Sequence, residues 1–450
     1  MRIAVVGSGI AGLATAWLLS EQHQVTLFEA NDYAGGHTHT VDVTLQGRHC
    51  GVDTGFLVFN QATYPNLVPM LRHLSVPVAP SEMTFSLALE SPAIEWSGSN
   101  LDTLFAQRRN LLRPSFLRML RDVLRFNREA AQFATEHAVA SPEAPLSLGQ
   151  FLSQGRYSDE FRDWYLGPMA AAIWSCPTRA MLEFPFASFA QFFRNHGLLQ
   201  ISDRPQWFTV PGGARQYVER LIAALQARGG QLRLNTPVRA VSRDLQGSAK
   251  DITAHNTQGA IRLHCDHGAE HFDALVLACH SDQSLALLGE QASAGERAVL
   301  SGIPYQANRA LLHTDSSLLP ARQKLWSAWN YSAGRDGPDG RPVAVHYLLN
   351  KLQPLPFTQP LLVSLNPHRE PHPDSVLGEY DYAHPVFGAN AAQAQALLPG
   401  LQGQHQTWFC GAWTRYGFHE DGLRSAVAVA RDFGIQPPWN AAVPTQTGSA

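Results

Sequence analysis

The stretch that most restricts what this 450-residue chain can become is RIAVVGSGIAGLATAWLL, from Arg2 to Leu19. RIAVV is a short, uninterrupted, β-branched apolar run, the pattern of a strand buried on both faces of a parallel sheet. GLATAWLL reads as the helix that follows it. Between them Gly7 permits a tight turn, Gly9 lets backbone approach a pyrophosphate with no Cβ in the way, and Gly12 allows the helix to pack closely on the strand. The helix start supplies N–H groups and the positive end of the dipole for the phosphates. A second strand, HQVTLFEA, ends in Glu29, seventeen residues past Gly12, where a carboxylate binds ribose hydroxyls and repels a 2′-phosphate. The sequence therefore predicts a dinucleotide site for NAD or FAD and disfavours NADP. A basic residue ahead of an apolar run also resembles a secretory signal, but the glycine spacing favours the strand-turn-helix.

With 45% hydrophobic and 16% charged residues the chain is globular, and too long for one ordinary core. A formal charge of -3 argues against a surface built for nucleic acid. The five cysteines (Cys50, Cys176, Cys265, Cys279, Cys410) are scattered and odd in number, which indicates neither a disulfide framework nor a zinc site and fits a reducing, cytoplasmic compartment. No stretch reaches the roughly 18 uninterrupted apolar residues of a membrane span.

Beyond Glu29 come NDYAGGHTHT and GVDTGFLVFN, and further on VPGGARQYVERLIAAL, NTPVRAV, FDALVLACHSDQSLALL and TWFCGAWTRYGFHEDGLRSAVAVA. This series resembles the flavin-containing amine oxidase superfamily, with His37 standing where that family usually has arginine. The resemblance runs over about residues 1 to 437. It implies an α/β fold: a discontinuous Rossmann-like FAD-binding domain (1–79, 205–293 and 400–437) interleaved with an α+β substrate domain of helices (80–204) and a mixed sheet (294–399). The small, polar composition of the tail (438–450) reads as disordered. It implies non-covalent FAD lined by Gly7, Ser8, Gly9, Ile10, Ala11, Gly12, Glu29, Ala30, Gly35, Gly36, His37, Thr38, Gly55, Phe56, Val238, Ala278, Cys279, Gly411, Ala412, Gly422 and Leu423.

In the intervening segments RALLHTD, PVAVHYLLN and PLLVSLN read as strands of one sheet. Arg108 to Arg128 carries seven arginines against one aspartate; Arg118, Arg121, Arg125 and Arg128 fall on one helical face and Phe116, Leu117, Leu120, Val123 and Leu124 on another. That pattern suits a solvated surface helix, or one lying on anionic lipid at the inner face of a membrane. Trp174, His196, Trp329 with Asn330, and the His313/Asp315 pair are candidate pocket residues, each equally at home in a core or a turn.

Histidine, glutamate and aspartate adjoin in RYGFHEDGL, yet three consecutive side chains cannot all reach one substrate. His419 is the candidate catalytic base, Gly422 opens the last helix, and Glu420 and Asp421 fit helix-entry carboxylates. The whole-chain pattern is closest to a bacterial subgroup associated with cyclopropane-fatty-acid-synthase-like methyltransferases and furan fatty acid formation. That resemblance implies hydride removal from a methylated acyl chain of a phospholipid, with O2 as oxidant and a methyltransferase as candidate partner. Amine or polyamine oxidation is the alternative, although none of the three lysines (Lys250, Lys324, Lys351) aligns with the family's flavin-side lysine and Arg309 lies nearer to it. A third reading is a flavin-binding partner of a lipid methyltransferase without redox activity of its own.

Overall fold

The computed structural model describes residues 1–136, 146–174, 181–201, 204–243, 260–334 and 343–440. Five parallel strands form one sheet: β1 (Arg2–Val6), β2 (Gln24–Phe28), β3 (Gln231–Arg233), β4 (Ala274–Leu277) and β5 (Thr407–Phe409), in spatial order β3-β2-β1-β4-β5. The beginning, middle and end of the chain thus meet in one Rossmann-like layer, as expected of this α/β class.

The uninterrupted apolarity of β1 follows from its two buried faces. Ile3, Val5, Val25, Leu27 and Val276 point into a core shared with the helices α1 (Ile10–Leu19), α4 (Arg215–Ala227) and α5 (His419–Asp432). Two further helices, α2 (Leu67–His73) and α3 (Pro114–Glu136), lie between α1 and α4 in the chain. Ala4, Val6, Phe28, Leu275 and Leu277 point the other way, onto Val241, Leu263 and Phe272 of a three-stranded antiparallel sheet. All ten residues of α1 are buried; Trp17, Leu18 and Leu19 each contribute about 2 kcal/mol by leaving water.

A second sheet has seven strands in the order Val376–Pro385, Tyr305–His313, Leu362–Leu365, Val343–Leu348, Trp329–Ala333, Phe85–Leu89 and Ile94–Ser97. Trp329–Ala333 pairs with Phe85–Leu89 in parallel and every other pair is antiparallel, so the sheet is mixed. The stretch read as helical, 80–204, contributes two of its strands. Across this sheet runs a buried polar line: His313 Nε2 to Ser364 Oγ (2.7 Å), Ser364 Oγ to His346 Nδ1 (2.6 Å), and His346 Nε2 to Ser332 Oγ (2.9 Å).

Helix α3 is rotated from the sequence expectation. Its buried side chains are Phe116, Met119, Asp122, Phe126, Asn127, Ala130 and Ala134, while Leu117 and Leu124 face out. Asp122 sits inside because the N–H and hydroxyl of Ser158 both donate to it (3.0 and 2.7 Å), at the start of the short helix Asp159–Phe161. A satisfied carboxylate is tolerated there and the leucines are displaced to the rim. The arginines divide likewise: Arg118 pairs with Glu160, and Arg125 lies 3.8 Å over the Tyr157 ring.

The tail also starts later than expected. Pro438–Asn440 form a 3-10 turn whose Trp439 stacks on Trp17 at 5.7 Å; residues 441–450 lie outside the described residues.

Candidate active site

The residues expected at the cofactor gather at the carboxyl ends of β1, β2, β4 and β5, the edge at which open parallel sheets bind ligands. A Cβ on Gly12 would lie 1.8 Å from the carbonyl oxygen of Gly7, so only glycine lets α1 sit this close to its strand. A Cβ on Gly9 would meet nothing within 4 Å: the space in front of the loop is open. Ile10, Ala11 and Gly12 begin α1 with no side-chain cap and no acidic residue in the first turn, leaving the positive end of the helix to an anion. The arrangement fits a dinucleotide diphosphate.

Glu29 is buried at the end of β2 and accepts from Ser8 N and Oγ (2.9 and 2.5 Å) and from Asn31 N (2.9 Å), which ties the glycine loop to the strand beside Ala30. Thr236 N donates to Glu29 O, so the strand opening at Val238 leaves from the same corner. Gly35 bridges to Gly9, and Gly36 packs against it so closely that a Cβ would stand 3.1 Å from the Gly9 Cα. Ala278 and Cys279 follow β4 directly beneath Gly7, and Gly411 and Ala412 follow β5.

His37 follows that crossing. Its half-buried ring lies among Tyr382 (5.1 Å), His384 (5.2 Å) and His280 (6.2 Å), its buried Nε2 has no partner among the described residues, and desolvation holds its pKa well below the usual histidine value. Burial likewise takes His384 to about 4. A neutral imidazole thus stands beside the open glycine loop, and its orphaned Nε2 is a hydrogen-bonding atom awaiting a partner.

His419 is the first residue of α5, which starts three residues ahead of Gly422, the expected start. Gly422 serves instead as a contact: a Cβ there would come within 2.9 Å of the Ile10 side chain. The His419 ring lies flat on Phe56 at 3.8 Å, and its Nε2 is 2.5 Å from the Tyr217 hydroxyl and 3.4 Å from Thr38 Oγ1. Tyr217 also hydrogen-bonds Thr38, and burial raises the phenol pKa far above its ordinary value. The phenol therefore keeps its proton; donating it to Thr38 Oγ1, it can accept from the Nε2–H of His419, which leaves Nδ1 as the basic nitrogen of the ring. Burial lowers the His419 pKa to about 3, so the ring is neutral at physiological pH.

The neighbouring carboxylates turn away from this ring. Asp421 accepts from Tyr416 N and Phe418 N (3.2 and 3.1 Å) at the entry of its own helix. Glu420 reaches a different one: Asn66 N, Asn66 Nδ2 and Leu67 N donate to it at 3.1, 2.6 and 3.0 Å, at the start of α2. Burial pushes them up, to about 7 for Glu420 and about 6 for Asp421.

Of the other candidates, Trp174 and His196 come together at this end of the fold. Phe418, one residue before His419, lies 4.8 Å from Phe192, which stacks on His196 at 3.9 Å and contacts Trp174 at 4.6 Å. Trp329 packs edge-on to Tyr347, whose hydroxyl lies 3.5 Å from Ala172 O. Asn330 is held inside the sheet by Ser86, Ser327 and the His346 carbonyl, Asp315 caps a 3-10 turn, and Arg309 is exposed and paired with Glu370 and Glu379. Lys324 and Lys351 are paired with Asp102 and Glu82 outside the site; Lys250 lies outside the described residues.

Two residues were missed at sequence level. Tyr217 read only as a helix residue, and Asp53 only as part of a turn. Asp53 accepts from Ala214 N at the start of α4, from Thr40 and from Gln353, and burial raises its pKa to about 7.

Residues 10–316 match the model of the family described as flavin containing amine oxidoreductase. The 1-hydroxycarotenoid 3,4-desaturase of Flavobacterium sp. (strain P99-3) is 52% identical over 74 residues, 16% of this chain. The carotenoid phi-ring synthase of Streptomyces griseus is 28% identical over 343 residues, 72% of this chain. These matches span only 14% and 59% of the two relatives' own lengths. Among solved structures, cyclohexylamine oxidase from Brevibacterium oxydans IH-35A shares the fold at a TM-score of 0.67 and 16% identity, over 96% of this chain and 99% of that one. With more than half of its length under that family model and the diphosphate cradle at its strand ends, the chain belongs to the flavin containing amine oxidoreductase family.

Proposed function

We propose that the protein is an FAD-dependent oxidoreductase that introduces a double bond into a long apolar chain, a methyl-branched or unsaturated acyl chain of a lipid in the first place, with O2 as the final acceptor. One observation carries the choice of an apolar substrate: the surroundings of His419 are aromatic or uncharged (Phe56, Tyr217, Thr38, Phe418), and both adjacent carboxylates are spent on backbone N–H groups. A cationic amine would find no counter-charge there and would lose its hydration. The carotenoid-modifying names of the two relatives point the same way, toward lipophilic chains.

When bound, the flavin supplies a hydride acceptor. The chain supplies placement, a dry environment and a site for the second hydrogen, which leaves as a proton. A pKa of about 3 makes His419 a weak base, but a proton next to a carbon that is losing hydride is far more acidic than an ordinary C–H. The imidazole, held in place by the Tyr217 hydroxyl and the Phe56 ring, is strong enough for that task and does not stand protonated at rest.

The test is anaerobic mixing of the flavin-loaded protein with three substrate classes, read as loss of oxidised-flavin absorbance. Bleaching by phospholipids with methyl-branched unsaturated chains supports the reading. Bleaching only by amines overturns it in favour of amine oxidation. No bleaching by acyl lipids, carotenoids or amines points to a non-catalytic flavin-binding partner.

A further inference from the structure

The outward face of α3 and the turn that feeds it are not used by the site. Of the ten exposed large hydrophobic side chains among the described residues, five lie between 101 and 124: Leu101, Leu111, Leu112, Leu117 and Leu124. Leu112, 88% exposed, ends the 3-10 turn Arg108–Leu112, and Arg113 alone separates it from the first residue of α3, Pro114. Along α3 the spacing 4, 3, 4 places Leu117, Arg121, Leu124 and Arg128 on a single stripe, all four exposed, opposite the buried Met119 and Phe126.

This differs from the separate basic and apolar faces that sequence periodicity predicts. The structure takes Arg118 and Arg125 off the stripe, onto Glu160 and over Tyr157, and interleaves the remaining arginines with leucines. The nearby acidic groups are engaged: Asp102 with Arg108 and Lys324, Asp122 buried against Ser158 with the exposed Arg121 guanidinium 3.4 Å from its Oδ1, Glu129 accepting from Tyr157, Glu160 with Arg118. The stripe is therefore apolar and cationic together.

We infer that the face formed by Leu111, Leu112, Leu117, Arg121, Leu124 and Arg128 docks on an anionic phospholipid bilayer, the leucines entering the acyl boundary while the arginines hold lipid phosphates. Charge complementarity selects this occupant. A second copy of the chain would set arginines against arginines, whereas an anionic headgroup layer attracts each of them and an interface rewards leucine burial. No described helix is long and apolar enough to cross a membrane. The inference stands on the surface and not on the reaction proposed above, and vesicle binding and flavin reduction fail separately.

The experiment is co-sedimentation of the flavin-loaded protein with vesicles of phosphatidylcholine alone and of phosphatidylcholine doped with phosphatidylglycerol. Binding is expected only to the doped vesicles. Each arginine near the surface strengthens binding about fivefold, so Arg121→Glu/Arg128→Glu should weaken it more than tenfold. Leu112→Glu/Leu124→Glu should do the same, while Leu377→Glu/Leu397→Glu, at exposed leucines elsewhere, should leave it unchanged. All six positions are exposed, so the variants should fold, and unchanged flavin content checks this. Absence of binding to doped vesicles overturns the inference, as does binding that survives either pair of substitutions on the stripe.

Discussion

At the level of single residues, what distinguishes the site is a histidine kept neutral and fixed from two sides. Phe56 lies against one face of His419 and the Tyr217 hydroxyl against its Nε2. If the imidazole accepts the proton that accompanies hydride loss, His419→Ala should retain flavin and slow single-turnover flavin reduction by about 10²- to 10⁴-fold, the usual range for a lost general base. Tyr217→Phe should retain flavin with a smaller loss, because the ring stays stacked while Nε2–H loses the acceptor that fixes the tautomer. Full-rate reduction in His419→Ala would make the residue structural. His419 could be singled out from sequence by residue type and position in its motif. Tyr217 could not, since it lies 202 residues away and reads as one more aromatic position on a helix.

Elements are joined by polar groups whose partners periodicity does not show. Glu420 looks like an entry carboxylate for its own helix, yet its acceptor oxygens serve α2, more than 350 residues earlier. The line His313, Ser364, His346, Ser332 pins four neighbouring strands of the mixed sheet in the same way. Burial lowers the His346 pKa to about 3. The folded chain holds this ring neutral where the unfolded chain protonates it below 6.5, so its stabilisation is complete above that value and is lost as pH falls toward 3. Between about pH 7 and pH 5 this single group should cost about 2 kcal/mol of stability. Urea unfolding at both pH values should show that loss reduced by about this amount in His346→Gln; an unchanged pH dependence would refute the assignment.

Across the whole molecule, the dinucleotide layer depends on separated pieces of chain staying together. Arg243 and Glu296 form a fully buried, two-pronged ion pair (2.6 and 2.8 Å), and Arg243 also reaches Gln291 O and Thr407 Oγ1 of β5. Arg243→Met should destabilise the fold by about 3–5 kcal/mol in thermal or urea unfolding, because Glu296 would be left charged and dry. Arg243→Met/Glu296→Leu should recover most of that, and equal stability of the two variants would show that the stranded charge is not the cause.

The β1-α1-β2 unit with its glycines is legible in the chain because its determinants are local. A strand buried on both faces needs an unbroken apolar run, and a Cβ at Gly12 would collide with the backbone oxygen of Gly7, five residues back. The neutral histidines around His37, the Tyr217 contact, the destination of Glu420 and the outward turn of Leu117 and Leu124 were decided only by tertiary structure. The reason is the same for each: burial and hydrogen-bond partners set charge state and orientation, and those partners come from segments that meet only when the chain folds.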